Sequence, residues 1–230
     1  VSDPIGVASW LLSKPLVIHE QNAVSGMTNR WLAKISDRVL TAFSGSFPPA
    51  VQPFVIGNPV RQELLNLASP RQRWSERELP LRVLVLGGSQ GSRAINNVIL
   101  QWAERYALAD EVTLWHQVGS VNYDEMKSAY SHLDVSVRVD AFIEDMIAAY
   151  TWADLVICRS GALTISEIMA VGIASVLVPF PHAVDDHQTK NAMYLVSRGA
   201  AKLLPQKEFN GTTLSQMLNS IFSTDSVVHS

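Results

Sequence analysis

Two segments of this sequence carry an apolar run directly into a turn of small residues and then into a helical pattern, and few folds use that junction twice. The first is Leu81-Arg82-Val83-Leu84-Val85-Leu86, which meets Gly87-Gly88-Ser89-Gln90-Gly91-Ser92 and then a helix expected from Ala94 to about Tyr106. The second is Leu155-Val156-Ile157, followed by Cys158-Arg159-Ser160-Gly161-Ala162-Leu163-Thr164-Ile165-Ser166-Glu167. A strand that ends this way aims unpaired backbone N–H groups and the positive end of a helix at whatever lies beyond the sheet. A diphosphate has the charge and the acceptors to fill such a place.

The same alternation runs through the chain. Short Val-, Ile- and Leu-rich runs predict strands at 16–19, 38–42, 54–56, 82–86, 112–117, 136–139, 155–158 and 175–178, with a weaker ninth at 202–204. Helical patterns separate them at 6–12, 27–35, 94–106, 123–130, 143–152, 163–171 and 188–198. The class is therefore α/β with parallel strands buried on both faces. Between Gly57-Asn58-Pro59 and Leu79-Pro80 the pattern gives way to a polar stretch of mixed charge, Ser69 to Glu78. It reads as a linker. Residues 1–60 supply only about three strands and read as an incomplete domain, 61–80 as the linker, and 81–230 as a complete doubly wound domain. The first residue is Val, so the chain is expected to begin partway through a longer protein. No signal is visible in the tail.

Composition narrows the function. A formal net charge of −3 over 230 residues gives no general attraction for nucleic acid, which is not an expected partner. The single cysteine, Cys158, cannot close an internal disulfide and reads as a small buried hydrophobe, which favours the cytosol. No apolar run is long enough for a membrane span.

Each motif also has a plain structural reading. The glycine-rich turn at 87–92 departs from a dinucleotide fingerprint at Ser89 and Ser92, and no Gly-Lys-Ser/Thr of a phosphate-binding loop follows, so tight packing alone would explain it. Thr164-Ile165-Ser166-Glu167 has the form of a capping box, in which Glu167 would serve only the helix start; beside a bound anion, the same carboxylate would accept from the vicinal hydroxyls of a ribose. Two His and two Asp in the loop 179–188 raise the question of a metal, but their spacing matches no standard ligand pattern. No metal site is expected there. His19-Glu20-Gln21-Asn22 closes the first strand at the carboxyl edge, where open α/β sheets bind ligands, or is simply a satisfied turn. Trp10-Leu11-Leu12 with Lys14, and Trp31 with Arg30 and Lys34, form either an apolar and basic surface patch or part of a core.

Taken together, His19-Glu20-Gln21-Asn22 with Gly26 and Asn29, Gly57-Asn58-Pro59-Val60-Arg61, Gly87-Gly88-Ser89-Gln90-Gly91, Arg159 through Glu167, and Pro179-Phe180-Pro181-His182 before His187-Gln188 resemble the MurG family of bacterial N-acetylglucosaminyltransferases. The resemblance runs in order from about residue 6 to residue 205. It implies a GT-B fold of two Rossmann-like domains with parallel sheets, the N-terminal one truncated here. It also implies an inverting transfer of N-acetylglucosamine from UDP-N-acetylglucosamine to lipid I, giving lipid II for peptidoglycan, with no cofactor and no required metal. By motif position, Asn22, Arg61, Ser89, Ile143, Ala162, Leu163, Thr164, Ile165, Ser166, Glu167 and Gln188 would contact the donor: the backbone near Ile143 the uracil edge, Glu167 the ribose, Ser89 and Arg61 the diphosphate, and Gln188 the sugar. The family's general-base histidine belongs to an earlier glycine-rich turn that this chain lacks. No catalytic residue is therefore assigned, and His19 is not given that role. The remaining implied partner is an anionic membrane surface, met peripherally at the cytoplasmic face of the bacterial inner membrane. Alternatives are a donor-binding module that needs a second chain, and an enzyme resembling UDP-N-acetylglucosamine 2-epimerases.

Overall fold

The computed structural model describes residues 2–228 apart from Glu76, Glu78, Ser89, Gln90 and 107–110, and describes the side chains of these except at Ser2, Asp3, Val184 and 222–228. Its first part holds α1 (Ser2–Leu11), β1 (Val17–Glu20), α2 (Met27–Leu32), β2 (Arg38–Thr41) and β3 (Phe54–Val55). The three strands pair in parallel in the order β1-β2-β3. A small core of Ile18, Leu32, Val39 and Phe47 lies beneath them.

The polar stretch that follows contains two short helices, α3 (Gln62–Leu65) and α4 (Pro70–Trp74). Ser69 and Gln72 form a reciprocal capping box, with Pro70 in the first turn. Sequence periodicity missed both helices because four or five residues are too few to show a period.

The larger part runs β4 (Leu81–Leu86), α5 (Arg93–Tyr106), β5 (Val112–Gln117), α6 (Tyr123–Tyr130), β6 (Ser136–Asp140), α7 (Met146–Trp152), β7 (Leu155–Cys158), α8 (Ala162–Val171), β8 (Ala174–Leu177), α9 (His187–Val196), β9 (Ala201–Leu203) and α10 (Gly211–Val228). Its parallel sheet has the order β6-β5-β4-β7-β8-β9. The chain starts at the centre, winds outward to β6, and then returns to β7 beside β4. The strand order reverses between those two, and their carboxyl ends are level, with Leu86 opposite Cys158. A crevice opens there in folds of this kind.

Alternation along the strands sends side chains to opposite faces. Val83, Val85, Leu155, Ile157 and Val176 pack with α5, α6 and the start of α10. Leu84, Leu86, Val156, Cys158 and Leu177 pack with α7, α8 and α9. Ala23 and Phe43 from the first part and Leu64 from α3 join this second cluster, so one apolar core continues across both parts. α10 carries Ser, Thr and Asn, weak helix formers, and is held by Leu214 and Leu218, which stack at i,i+4 spacing in the core beside α5.

Two arginines tie the linker down. Arg73 donates to the carbonyl of Val171 at the end of α8. Arg77 donates to the carbonyls of Thr151, Trp152 and Ala153 at the end of α7 and pairs with Asp154. Cations at helix carboxyl ends meet orphan carbonyls and the negative end of the dipole.

Behind the glycine-rich turn sits a fully buried histidine, His116 on β5. Asn96 donates from Nδ2 to the Val118 carbonyl at 2.9 Å, which fixes its Oδ1 toward His116 Nε2 at 3.2 Å. The imidazole is therefore protonated at Nε2 and accepts at Nδ1 from the Tyr130 hydroxyl, 2.8 Å away. Burial pushes the His116 pKa down from 6.5 to about 3. The unfolded chain binds this proton more tightly than the folded one, so the ring's contribution to stability is complete above about pH 6.5 and falls as the pH drops toward 3. The whole effect is on the order of 5 kcal/mol. Urea unfolding between neutral pH and pH 4 should show a steep loss of stability, and most of the slope should vanish in His116→Gln; an unchanged slope would remove His116 from the account.

Candidate active site

The two strand-to-helix junctions lie side by side at the crevice. At the second, Ser160 and Gly161 lead from β7 into α8, whose N-cap is Gly161 with no side-chain cap. The helix begins at Ala162, two residues before Thr164, so the capping box expected of Thr164 and Glu167 does not form. Instead Glu167, well inside the helix, accepts on Oε2 from the Tyr150 hydroxyl of α7 at 3.0 Å.

A cavity of about 220 Å³ opens in front of these groups, lined by Arg61, Leu86, Gly88, Gln117, Ile143, Tyr150, Arg159, Thr164 and Glu167 among others. A second, of about 370 Å³, lies beside the start of α5, lined by Gly87, Gly91, Ser92, Arg93, Arg159, Phe180, Gln188 and Gln206 among others. Arg159 faces both. Its guanidinium donates to the carbonyls of Val178 and Pro179, to Ser92 Oγ and to Gln206 Oε1, at 2.7–3.0 Å. All of those partners are neutral, so a half-buried positive charge stands between the cavities with no carboxylate among its described partners. Burial lowers its pKa.

The glycine turn is shaped by close approach. Gly91 has φ +75°, and a Cβ there would come within 2.2 Å of the Val118 carbonyl oxygen. Gln117 braces the turn from β5: its Nε2 donates to the Gly88 carbonyl at 2.9 Å, and its Oε1 accepts from the Ile143 N–H at 3.1 Å.

The expected site residues divide. Arg61, Ile143, Thr164 and Glu167 line the first cavity and Gln188 the second. Gln188 Oε1 accepts from the Phe180 N–H at 2.9 Å. Ser89 lies outside the described residues. Ile165 is fully buried in the core, and its N–H donates to the Gly161 carbonyl, so its side chain faces away from the cavities. Six consecutive helical residues cannot share one face. Leu163 is exposed; Ser166 donates to the Ala162 carbonyl and accepts from Asn58 Nδ2, so this part of the run meets the loop after β3. Asn22 lines a third cavity, of about 200 Å³, with Val24, Gly26, Asp185 and His187. Tyr150, Gln117 and Arg159 were not selected from sequence. Arg159 follows the second strand directly, a detectable signal, whereas Tyr150 and Gln117 depend on tertiary neighbours.

Asparagines join the two halves. Asn191 on α9, fully buried, accepts from the Ala23 N–H at 2.7 Å and donates to Asn22 Oδ1 at 3.1 Å and the Ser160 carbonyl at 3.2 Å. Glu20, also buried, accepts from the N–H groups of Asn22 and Gly26 and from the side chain of Asn29, which organises the turn after β1. His19 Nε2 donates to the Gly57 carbonyl at 3.0 Å, spending that nitrogen on the chain. Among the described residues, no three of His, Cys, Asp and Glu gather closely enough to hold a metal ion.

Parallel sheets of this order, with a polar crevice at the reversal point, are the architecture of GT-B glycosyltransferases, and the chain belongs to glycosyltransferase family 28. The family's C-terminal domain matches residues 82–227 and its N-terminal domain residues 1–41. The chain is 49% identical to a UDP-N-acetylglucosamine–N-acetylmuramyl-(pentapeptide) pyrophosphoryl-undecaprenol N-acetylglucosamine transferase of Marinobacter nauticus, over 96% of this chain and 61% of that protein. A protein of the same name from Coxiella burnetii is 45% identical, over 93% and 60%. The crystal structure of Acinetobacter baumannii MurG superimposes with a TM-score of 0.86 at 36% identity, over 96% of this chain and 62% of that one. The chain thus spans about three fifths of the length of these relatives. A UDP-GlcNAc 2-epimerase from Neisseria meningitidis aligns with a TM-score of 0.60 at 12% identity, a likeness of fold alone.

The Asn191 contacts carry a measurable consequence. Asn191→Ala leaves the buried Ala23 N–H unpaired, which costs about 1–3 kcal/mol. The midpoint of chemical unfolding should fall accordingly, and Asn191→Asp, whose carboxylate would face the Ser160 carbonyl and Asn22 Oδ1 with no N–H to offer them, should not restore it. A midpoint unmoved by Asn191→Ala would mean that the junction does not depend on this side chain.

Proposed function

We propose that the crevice between the ends of β4 and β7 holds the uridine diphosphate half of UDP-N-acetylglucosamine, and that the chain serves the transfer of N-acetylglucosamine to lipid I to give lipid II. The observation that carries the reading is one cavity presenting an uncapped helix start, two guanidinium groups and a carboxylate. Cations and helix N–H groups suit a diphosphate; the carboxylate suits a diol. Residues 81–230 act as the donor-binding unit, residues 1–60 as part of the acceptor-side domain, and 61–80 as the linker.

Glu167 receives the ribose. The Ile143 N–H is already taken by Gln117, so its carbonyl is the group free to accept from a uracil ring N–H. Arg61 and Ser89 meet the diphosphate, and Gln188, with its Oε1 committed to Phe180, donates from Nε2 to the sugar hydroxyls. Asn22 and the first turn of α8 complete the enclosure. The acceptor C4 hydroxyl, giving up its proton to a general base, attacks the anomeric carbon while UDP leaves from the opposite face, so a single displacement inverts the centre. Negative charge grows on the departing diphosphate, and donors already aimed at it stabilise that charge without reorganisation; removing one such donor costs about 3 kcal/mol of barrier.

A lipid acceptor calls for contact with a membrane surface. No helix among the described residues is long and apolar enough to cross a bilayer. Trp10, Leu11, Leu12, Met27 and Trp31 are exposed on α1, the turn after it, and α2, with Lys34 Nζ 4.2 Å from the Trp31 ring centre. An apolar surface edged by cations suits peripheral binding to anionic lipid at the cytoplasmic face of the inner membrane.

Titration calorimetry should show binding of UDP-N-acetylglucosamine and much weaker binding of a GDP-sugar, with affinity for the former reduced about tenfold or more in Glu167→Ala. Equal affinity for both nucleotides would end the donor assignment. Separately, sedimentation with vesicles containing phosphatidylglycerol should fall in a Trp31→Ala, Lys34→Ala double variant; unchanged sedimentation would take the membrane role away from this surface.

A further inference from the structure

We propose that Tyr150 is a positioning residue that presets the Glu167 carboxylate for the ribose of the donor, a role that rests on the donor reading above. Tyr150 belongs to α7 and Glu167 to α8, and the two helices are joined here by a single directed contact, the Tyr150 hydroxyl donating to Glu167 Oε2 at 3.0 Å. The ring is fully buried in the core shared by α7, α8 and α9, and close packing holds it in place. A hydroxyl on an immobile ring fixes whatever accepts from it. The bond is charge-assisted, stronger than one between neutral groups. Burial and the neighbouring carboxylate both raise the Tyr150 pKa, so the phenol keeps its proton and remains a donor.

Two consequences follow for ligand binding. Oε2 is spent inside the protein, so Oε1 is the oxygen that receives a ribose hydroxyl, and the carboxylate meets it in one preset orientation. Holding the carboxylate in place before binding spares the cost of ordering a flexible side chain when the ligand arrives. The bond also keeps Glu167 from turning to Arg61, a cation lining the same cavity, which is thereby left for the diphosphate. Cys158, buried beneath, has its thiol pushed up to about 12 and brings no competing charge.

Tyr150→Phe removes one oxygen and keeps the ring, and the informative comparison is between uridine diphosphate and 2′,3′-dideoxyuridine diphosphate. Calorimetry should find uridine diphosphate bound roughly tenfold more weakly by Tyr150→Phe, with the dideoxy analogue nearly unaffected. The double variant with Glu167→Ala should be no weaker than Glu167→Ala alone. Circular dichroism and unfolding midpoints establish that each variant is folded, and Glu167→Gln, which still accepts from Tyr150, gives a second route to the same loss of discrimination. If Tyr150→Phe discriminates between the two nucleotides as the unaltered protein does while Glu167→Ala does not, the positioning role is overturned and the donor reading stands. If Glu167→Ala itself binds and discriminates as before, both fall.

Discussion

The parallel pairing of β4 with β7 is the constraint on which everything at the site depends. Because Leu86 and Cys158 stand opposite one another, two independent strand-to-helix turns emerge at the same height and side by side. Neither turn alone offers much: one is a glycine corner braced by Gln117, the other a helix start with no side-chain cap. Together they line neighbouring cavities, with Arg159 spanning both. The strand reversal is thus what converts two local features into one site.

The second constraint is the junction between the sheets. Apolar residues of the first part enter the core of the second, and Asn191 places three directed hydrogen bonds within that contact. Apolar contact is non-directional and fixes distance better than orientation; buried hydrogen bonds supply the orientation. Asn22 is held by this arrangement and by Glu20, so a residue of the turn after β1 is positioned by a helix of the larger part.

Much of this was legible in the sequence. All nine strands stand within about a residue of their expected positions; the signal is plainest at β4, β7 and β8, which are buried on both faces over most of their length and read as Val- and Leu-rich runs without help from neighbours. α10 was not visible: its Ser, Thr and Asn content argues against a helix, and Leu214 and Leu218 become decisive only when α5 lies beside them. Glu167 shows the limit most clearly. The local pattern fits a capping box, yet the helix begins two residues earlier at Ala162, and the partner of Glu167 is a tyrosine 17 residues away on another helix. The run from Ala162 to Glu167 was read as a unit, whereas helical geometry turns Ile165 into the core.

The arrangement of charge adds a directional argument. Glu167 and the guanidinium groups of Arg61 and Arg159 line one cavity, yet none of the described ion pairs joins them. Opposite charges in a shared, partly desolvated space attract strongly unless something holds them apart. Tyr150 binds the carboxylate on one side, and carbonyls, Ser92 and Gln206 bind Arg159 on the other. A ligand with a diol at one end and an anion at the other satisfies both charges in only one orientation, because reversing it would set anion against carboxylate. Keeping the two charges apart therefore gives the crevice a polarity, which a ligand carrying a diol and an anion at opposite ends would have to follow.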